Sequence, residues 1–312
     1  MEYLKTSFLV VFPIFVKLAL GYGLRQTRIL GIQTFKEMNN VTFRVFLPVL
    51  LFSNIYNADI SESIKTDLIV YAISALIAIF IFFMVVIPLL EKDNRKRGVL
   101  VQASCRSNFI LFGIPVADSL YGKGSLGAAS IVGGFLVPVI NILAVISLVY
   151  FQGSKPNVKS MIKGIMTNPI IHAAFAAAIF VVTGIKIPPI FEKIIAEIAM
   201  IATPIALIVL GGSVSFSTVG PNLKQLILGV TNKLIIVPLI GVTVAILFGF
   251  RQSDLIILLA LFASPTAVSS YAMANQMGGD SELAGHLVVF ATALSMLTLF
   301  LWIFVLQLIG VA

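Results

Sequence analysis

Apolar residues run along this chain in long blocks, and the blocks set its architecture. About 30 Å of hydrocarbon is crossed by ~20 residues of helix. Stretches of that kind fall at 7–24, 38–56, 67–90, 99–120, 126–151, 166–185, 189–213, 224–249, 254–277 and 284–310. The second is the most diluted, by Asn39, Asn40, Arg44 and Asn54. The first has the position of a secretory leader. No small-residue cleavage site follows Gly23, however, and the block passes directly into Arg25 and Arg28, so it is read as a retained helix. The segments between blocks are too short to hold a soluble domain. The pattern predicts an all-α polytopic membrane protein, with residues 1–312 forming one transmembrane unit of ten helices.

Ten spans divide into five and five, which makes 1–152 a first inverted repeat and 161–312 a second. At an offset of 156, Pro48 meets Pro204, Gly122 meets Gly278, Ser125 meets Ser281 and Asn108 meets Ser264. Chance also supplies matches of this number, and polarity is the better signal. In each half the fourth span is anomalous. Span 4 carries Gln102, Ser104, Arg106, Ser107 and Asn108 to mid-membrane, then Gly113 and Pro115. Span 9 carries Ser264, Pro265 and Thr266 centrally, then Ser269, Ser270, Asn275 and Gln276. Proline leaves a carbonyl without its donor and bends the helix. Unwound backbone at that depth persists only inside protein or beside a polar cavity. Two broken helices in corresponding positions of inverted halves point to a transporter's binding site. The plain alternative is a pair of kinked helices packed through small residues.

Composition narrows the class. The chain is 59% hydrophobic and 11% charged, with a mean hydropathy of +1.07; soluble domains run near ~45–50% and ~25%. A soluble enzyme and a nucleic-acid binder are both excluded, although the net charge is +8. Eleven Lys and Arg residues lie in the loops after odd-numbered spans, with the cluster EKDNRKRG at 91–98 dominant, against six in the N-terminus and the even loops. The positive-inside rule puts the odd loops in the cytoplasm and both termini outside, in a cell (inner or plasma) membrane. The single cysteine, Cys105, excludes an intrachain disulfide framework and a CxxC metal site. No GxSG, HExxH or Walker signature occurs, so no catalytic residue, metal or cofactor is expected. Transport then runs on ion gradients or the membrane potential, and a passive channel is the other membrane alternative.

Several segments carry a likeness. The opening FPIFVKLALGYGLR, then NNVTFRVFLPVLLFSN, RSNFILFGIPVADSLYG, TNPII at 167–171 and ASPTAVSSYAMANQMGGD resemble, in order, parts of the auxin efflux carrier family, which includes plant auxin carriers and bacterial malonate- or malate-type carriers. The resemblance implies a five-plus-five inverted repeat whose broken fourth and ninth spans cross at their breaks. Spans 1, 2, 6 and 7 would form a scaffold that dimerises, with a homodimer through spans 2 and 7, and spans 3–5 and 8–10 a transport domain. It also implies a small organic anion, a carboxylate above all, held by Ser107, Asn108 and Phe109 with Ser264, Pro265 and Thr266. Plant relatives commonly have proline where this chain has Ser107, which predicts weaker unwinding of span 4. The chain also lacks their long cytoplasmic loop, which favours the short bacterial type. The runner-up is a sodium-coupled symporter of the bile-acid type.

Individual residues sharpen this. Asn108 offers two donors to a carboxylate without the cost of a charge; a helix-to-helix hydrogen bond is its plain alternative. Arg106 costs ~2.5–3.5 kcal/mol at a helix centre. It either attracts the anion, or snorkels toward the inner surface or pairs with an acid. Lys17 and Arg44 are expected to serve the scaffold. Asp118, His172 and His286 are the titratable candidates for proton or cation coupling, with a structural role as the alternative for each. The coupling ion, proton or sodium or none, stays open.

Overall fold

The computed structural model describes residues 2–57, 65–109, 123–152, 166–213 and 219–311. Within them the chain is helical, with one isolated β-bridge. Helix α1 is Glu2–Gln26. Helix α2, Ile32–Val41, continues through a π-turn at Thr42–Phe46 into α3, Leu47–Tyr56. Then follow α4 (Thr66–Leu90), α5 (Asn94–Cys105), α6 (Lys123–Tyr150), α7 (Pro169–Thr183) and α8 (Pro189–Ser213). Helix α9, Leu223–Thr231, continues through a second π-turn at Asn232–Ile236 into α10, Val237–Leu247. The last three are α11 (Gln252–Ala263), α12 (Ser269–Gln276) and α13 (Ser281–Leu308). Among the described residues, Thr66–Leu90, Ile131–Tyr150, Pro189–Ser213 and Gly220–Leu247 are continuous, apolar and long enough to cross a membrane. A fifth such stretch joins Ser281–Ser295 to Leu297–Leu308 across a 45° bend. The multi-pass helical expectation holds.

The two π-turns share a cause. Pro48 and Pro238 have no N–H, and the proline ring strikes the carbonyl four residues back. The residue before each, Leu47 and Val237, instead donates five residues back, to Thr42 O and Asn232 O. One extra residue in the turn absorbs the proline without a break.

Helix α4 shows the solvent for which the chain is built. Val70, Ile77, Ile81, Val85 and Leu89 line its outer face, from 38% to 80% exposed, while Leu68, Ala72, Leu76, Ile79, Phe83 and Ile87 are buried. Such a stripe is a liability in water and an ordinary surface in hydrocarbon.

Contacts between connections sort by parity. After odd spans, Glu91 accepts from Gln225 Nε2 at 2.6 Å, Asp280 N donates to Arg95 O at 3.2 Å and Gln152 Nε2 donates to Met277 O. After even spans, Lys65 pairs with Asp254 at 2.6 Å, Ile187 N donates to Tyr56 Oη at 2.9 Å, and Gln252 N donates to Val311 O at 3.0 Å. The two sets of connections therefore lie at opposite ends of the bundle, the C-terminus with the even set.

Laterally, α1, α2–α3, α7 and α8 pack mainly on one another, and α4, α5, α6, α9–α10, α11 and α13 do likewise. Helix α12 reaches both groups, and α1 against α13 is the broadest contact between them. In the first group the backbones of α1 and α8 touch through glycine: a Cβ on Gly21 would overlap the Ile208 carbonyl, and one on Gly211 the Leu18 carbonyl.

Candidate functional site

Spans 4 and 9 stop in the middle of the bundle. Helices α5 and α11 are each 12 residues long and end at Cys105 and Ala263, which places the breaks 158 apart rather than 156. Beyond them the backbone is extended at Arg106 (φ −89, ψ 100) and Ser264 (φ −60, ψ 145). The extended pieces cross antiparallel, with Ser107 opposite Thr266. Asn108 N donates to Pro265 O at 2.8 Å, and Ala267 N to Arg106 O at 3.2 Å.

Each broken ladder is completed by the other. Pro265 cannot donate to Leu261 O, four residues back, and the Ser107 hydroxyl does so instead. Phe262 O, the next carbonyl, accepts from Lys233 Nζ at 3.2 Å. In the other direction Ala103 O, which Ser107 N would have reached, accepts from Thr266 Oγ1 at 3.1 Å. Helix-end carbonyls left bare at this depth would cost several kcal/mol each. Span 4 consequently breaks although it has no proline at Ser107. The weaker unwinding expected there is corrected at its N-terminal side, because the serine hydroxyl is committed across the crossing. The continuation of span 4 past Phe109, including Gly113, Pro115 and Asp118, lies outside the described residues.

Two cations sit at this point. Arg106 is 4% exposed and Lys233 1%. The Arg106 guanidinium donates through Nη2 to Asn141 Oδ1 at 2.8 Å and Ser269 Oγ at 2.7 Å, and its Nη1 lies against Met273 Sδ. Asn141 turns its oxygen to the arginine because its own Nδ2 donates to Val137 O at 2.8 Å. Lys233 donates to Ser107 Oγ as well as Phe262 O. Among the described residues the ion pairs are Lys65–Asp254 and Lys193–Glu197, so neither buried cation meets a carboxylate there.

A cavity of about 460 Å³ opens beside the crossing. Arg106, Ser107, Asn108, Asn141 and Ser269 supply polar lining. Leu47, Leu50, Leu51, Ala199 and Met200 form an apolar wall from α3 and α8, so the cavity lies between the two packing groups. Its size suits a small organic ion. The Asn108 Nδ2 is buried and has no hydrogen-bond partner among the described residues.

The predicted residues therefore divide. Ser107, Asn108, Phe109 and Arg106 line the cavity. Pro265 and Thr266 hold the crossing together without lining the cavity, and Ser264, also outside the lining, turns its Oγ back to Ala260 O in its own helix. His172 is exposed at the start of α7 against Met166 O, and His286 is fully buried in α13; neither lines the cavity. Lys17 is half-exposed on α1. Arg44 is exposed and borders a second cavity of about 490 Å³ with Gln152, Asn168 and Gln276, at the end bearing the odd loops. Lys233, Asn141 and Ser269 are members of the site that sequence reasoning did not select. Lys233 had a signal: it is a lone cation in an apolar run, five residues before a proline.

Comparison with known proteins agrees with this architecture. An uncharacterized transporter of Methanothermobacter thermautotrophicus is 23% identical over 295 residues, covering 94% of this chain and 96% of its own. A family model described as membrane transport protein matches residues 6–157 and 155–303. By that match across nearly its whole length, the chain belongs to the membrane transport protein family of the auxin efflux carrier type.

Proposed function

We propose that this protein is a secondary carrier of small organic anions, carboxylates above all, which binds its substrate beside the crossing of spans 4 and 9. One observation carries the proposal: a buried guanidinium lines a cavity of about 460 Å³ with no carboxylate against it among the described residues. A charge without an opposite partner in a low-dielectric interior costs several kcal/mol. An entering carboxylate supplies the missing partner and gains charge-assisted hydrogen bonds. The orphan Asn108 Nδ2 offers a further donor in the same cavity.

The cavity's walls come from both packing groups, which is what alternating access needs: movement of one group against the other changes the side from which the cavity opens. We place the end bearing the 91–98 cluster in the cytoplasm and both termini outside, on the loop charges. The first group is the proposed scaffold, with outward Ile190, Phe191, Ile194 and Ile201 of span 7 available to a second copy. Counterflow of a radiolabelled dicarboxylate panel in proteoliposomes tests the function. Saturable exchange that is trans-stimulated by internal substrate is expected. Leak that does not saturate would identify a channel, and no flux of any organic anion would refute the proposal.

A further inference from the structure

The crossing brings together two helix ends of the same sign. Helices α5 and α11 both terminate there by their C-termini, at Cys105 and Ala263, and each such end carries the equivalent of roughly half a negative charge. Together they call for about one positive charge. Broken-helix carriers coordinate sodium or protons with unwound carbonyls and half-helix C-termini. In this chain the corresponding oxygens are occupied from within. The Lys233 ammonium binds Phe262 O and Ser107 Oγ, and Ser107 in turn caps Leu261 O. Lys233 is 1% exposed and does not line the substrate cavity, whereas Arg106 does. The two cations therefore have separate duties: Lys233 faces a carbonyl and a hydroxyl of the protein itself, and Arg106 faces the cavity.

We infer that the Lys233 ammonium is a tethered monovalent cation that fills the place of a sodium ion at the helix crossing. Transport by this chain is accordingly independent of sodium, a consequence that rests on the carrier function proposed above. The cation site itself does not rest on it. The second π-turn serves this purpose by setting Lys233 on the inner face just ahead of Pro238.

Thermal unfolding of the purified full chain, in sodium chloride against choline chloride at equal ionic strength, tests the site without any organic anion. Wild type should have the same Tm in both salts. Lys233→Ala vacates the site and removes the charge, so it should melt lower in choline and recover in sodium. Sodium at ~10 times its Kd shifts the folding equilibrium about ten-fold, a Tm rise of ~3–6 °C. Lys233→Met removes the charge but keeps the stem that fills the space; it should melt below wild type and ignore sodium. The proposal is overturned if sodium stabilises wild type, if Lys233→Ala does not respond to sodium, or if Lys233→Met melts like wild type. It is equally overturned if Lys233→Ala yields no folded protein even in sodium, since the ion then cannot replace the ammonium. A negative counterflow result with a positive sodium result would instead discard the substrate class and keep the site.

Discussion

Replacing Arg106 by glutamine separates substrate binding from folding. In the unliganded protein the guanidinium makes two charge-assisted hydrogen bonds, to Asn141 Oδ1 at 2.8 Å and Ser269 Oγ at 2.7 Å. Each contributes ~1.5–3 kcal/mol, together ~3–6. Burial of a guanidinium with no carboxylate partner costs several kcal/mol. The two effects nearly cancel, and glutamine keeps a donor for Asn141, so Arg106→Gln should melt within ~4 °C of wild type. With substrate present the balance changes. A carboxylate facing glutamine loses a charge-assisted bond of ~1.5–3 kcal/mol, equivalent to ~10–150-fold in affinity. Coulomb energy scales with ligand charge, so malonate should lose more than acetate. Thermal-shift titrations of both anions against both proteins read this directly, with Lys17→Gln as the control that keeps wild-type affinity. Undiminished affinity of Arg106→Gln for a dicarboxylate that stabilises wild type would show that Arg106 is structural and that the anion binds elsewhere.

Asn108→Ala removes a donor that has no partner among the described residues, so Tm should hold while affinity for a bound carboxylate falls ~10–150-fold. Cysteines placed in 91–98 should be protected from an impermeant thiol reagent in intact cells and a cysteine at Gly310 should react; Cys105 is buried and gives no background. Gly21→Val should destabilise by ~1–3 kcal/mol or more in denaturant titration, because its Cβ meets the Ile208 carbonyl, whereas Gly23→Ala, with open space around it, should not destabilise. Burial raises the carboxyl pKa of Glu91, but hydrogen bonds from Asp93 N, Gln225 Nε2 and Lys92 N, with the charge of Lys96, more than offset this and hold it below its ordinary 4.5. Its contribution to stability is present above pH 4.5 and is lost as the pH falls through the lowered value. Glu91→Gln should flatten part of that acid-side decline in a Tm-against-pH series.

The long apolar helices were legible because hydrocarbon thickness sets a minimum length for a helix that crosses it. The breaks were legible because Pro265 and the run Arg106–Asn108 have no other reason to sit at mid-membrane. What the pattern could not disclose is direction within a turn. Ser107 and Asn108 border the cavity whereas Ser264 and Thr266 do not, and the hydroxyls of Ser107 and Thr266 are both committed to carbonyls that lost their donors at the breaks. Lys233 was hidden for a related reason. One cation in span 8 looks like a residue that snorkels until the π-turn brings it onto the α11 terminus. The repeat offset also slipped by two residues, since short identities are blind to where each helix stops.

The crossing is fastened in both directions, and this limits how the protein can move. Parting spans 4 and 9 would strip Leu261 O and Ala103 O of their donors and break the Asn108–Pro265 and Ala267–Arg106 backbone bonds. Each orphaned group inside the bilayer costs several kcal/mol, far more than thermal motion or a small ligand provides. The crossing therefore behaves as a rivet and not as a gate. Under the proposed carrier function, substrate held beside it would travel with it as cargo on one rigid part, and the surfaces left to slide would be the apolar walls contributed by α3 and α8. The side chains of Leu47, Leu50, Leu51, Ala199 and Met200 on those walls are apolar and carry no hydrogen bond that sliding would break.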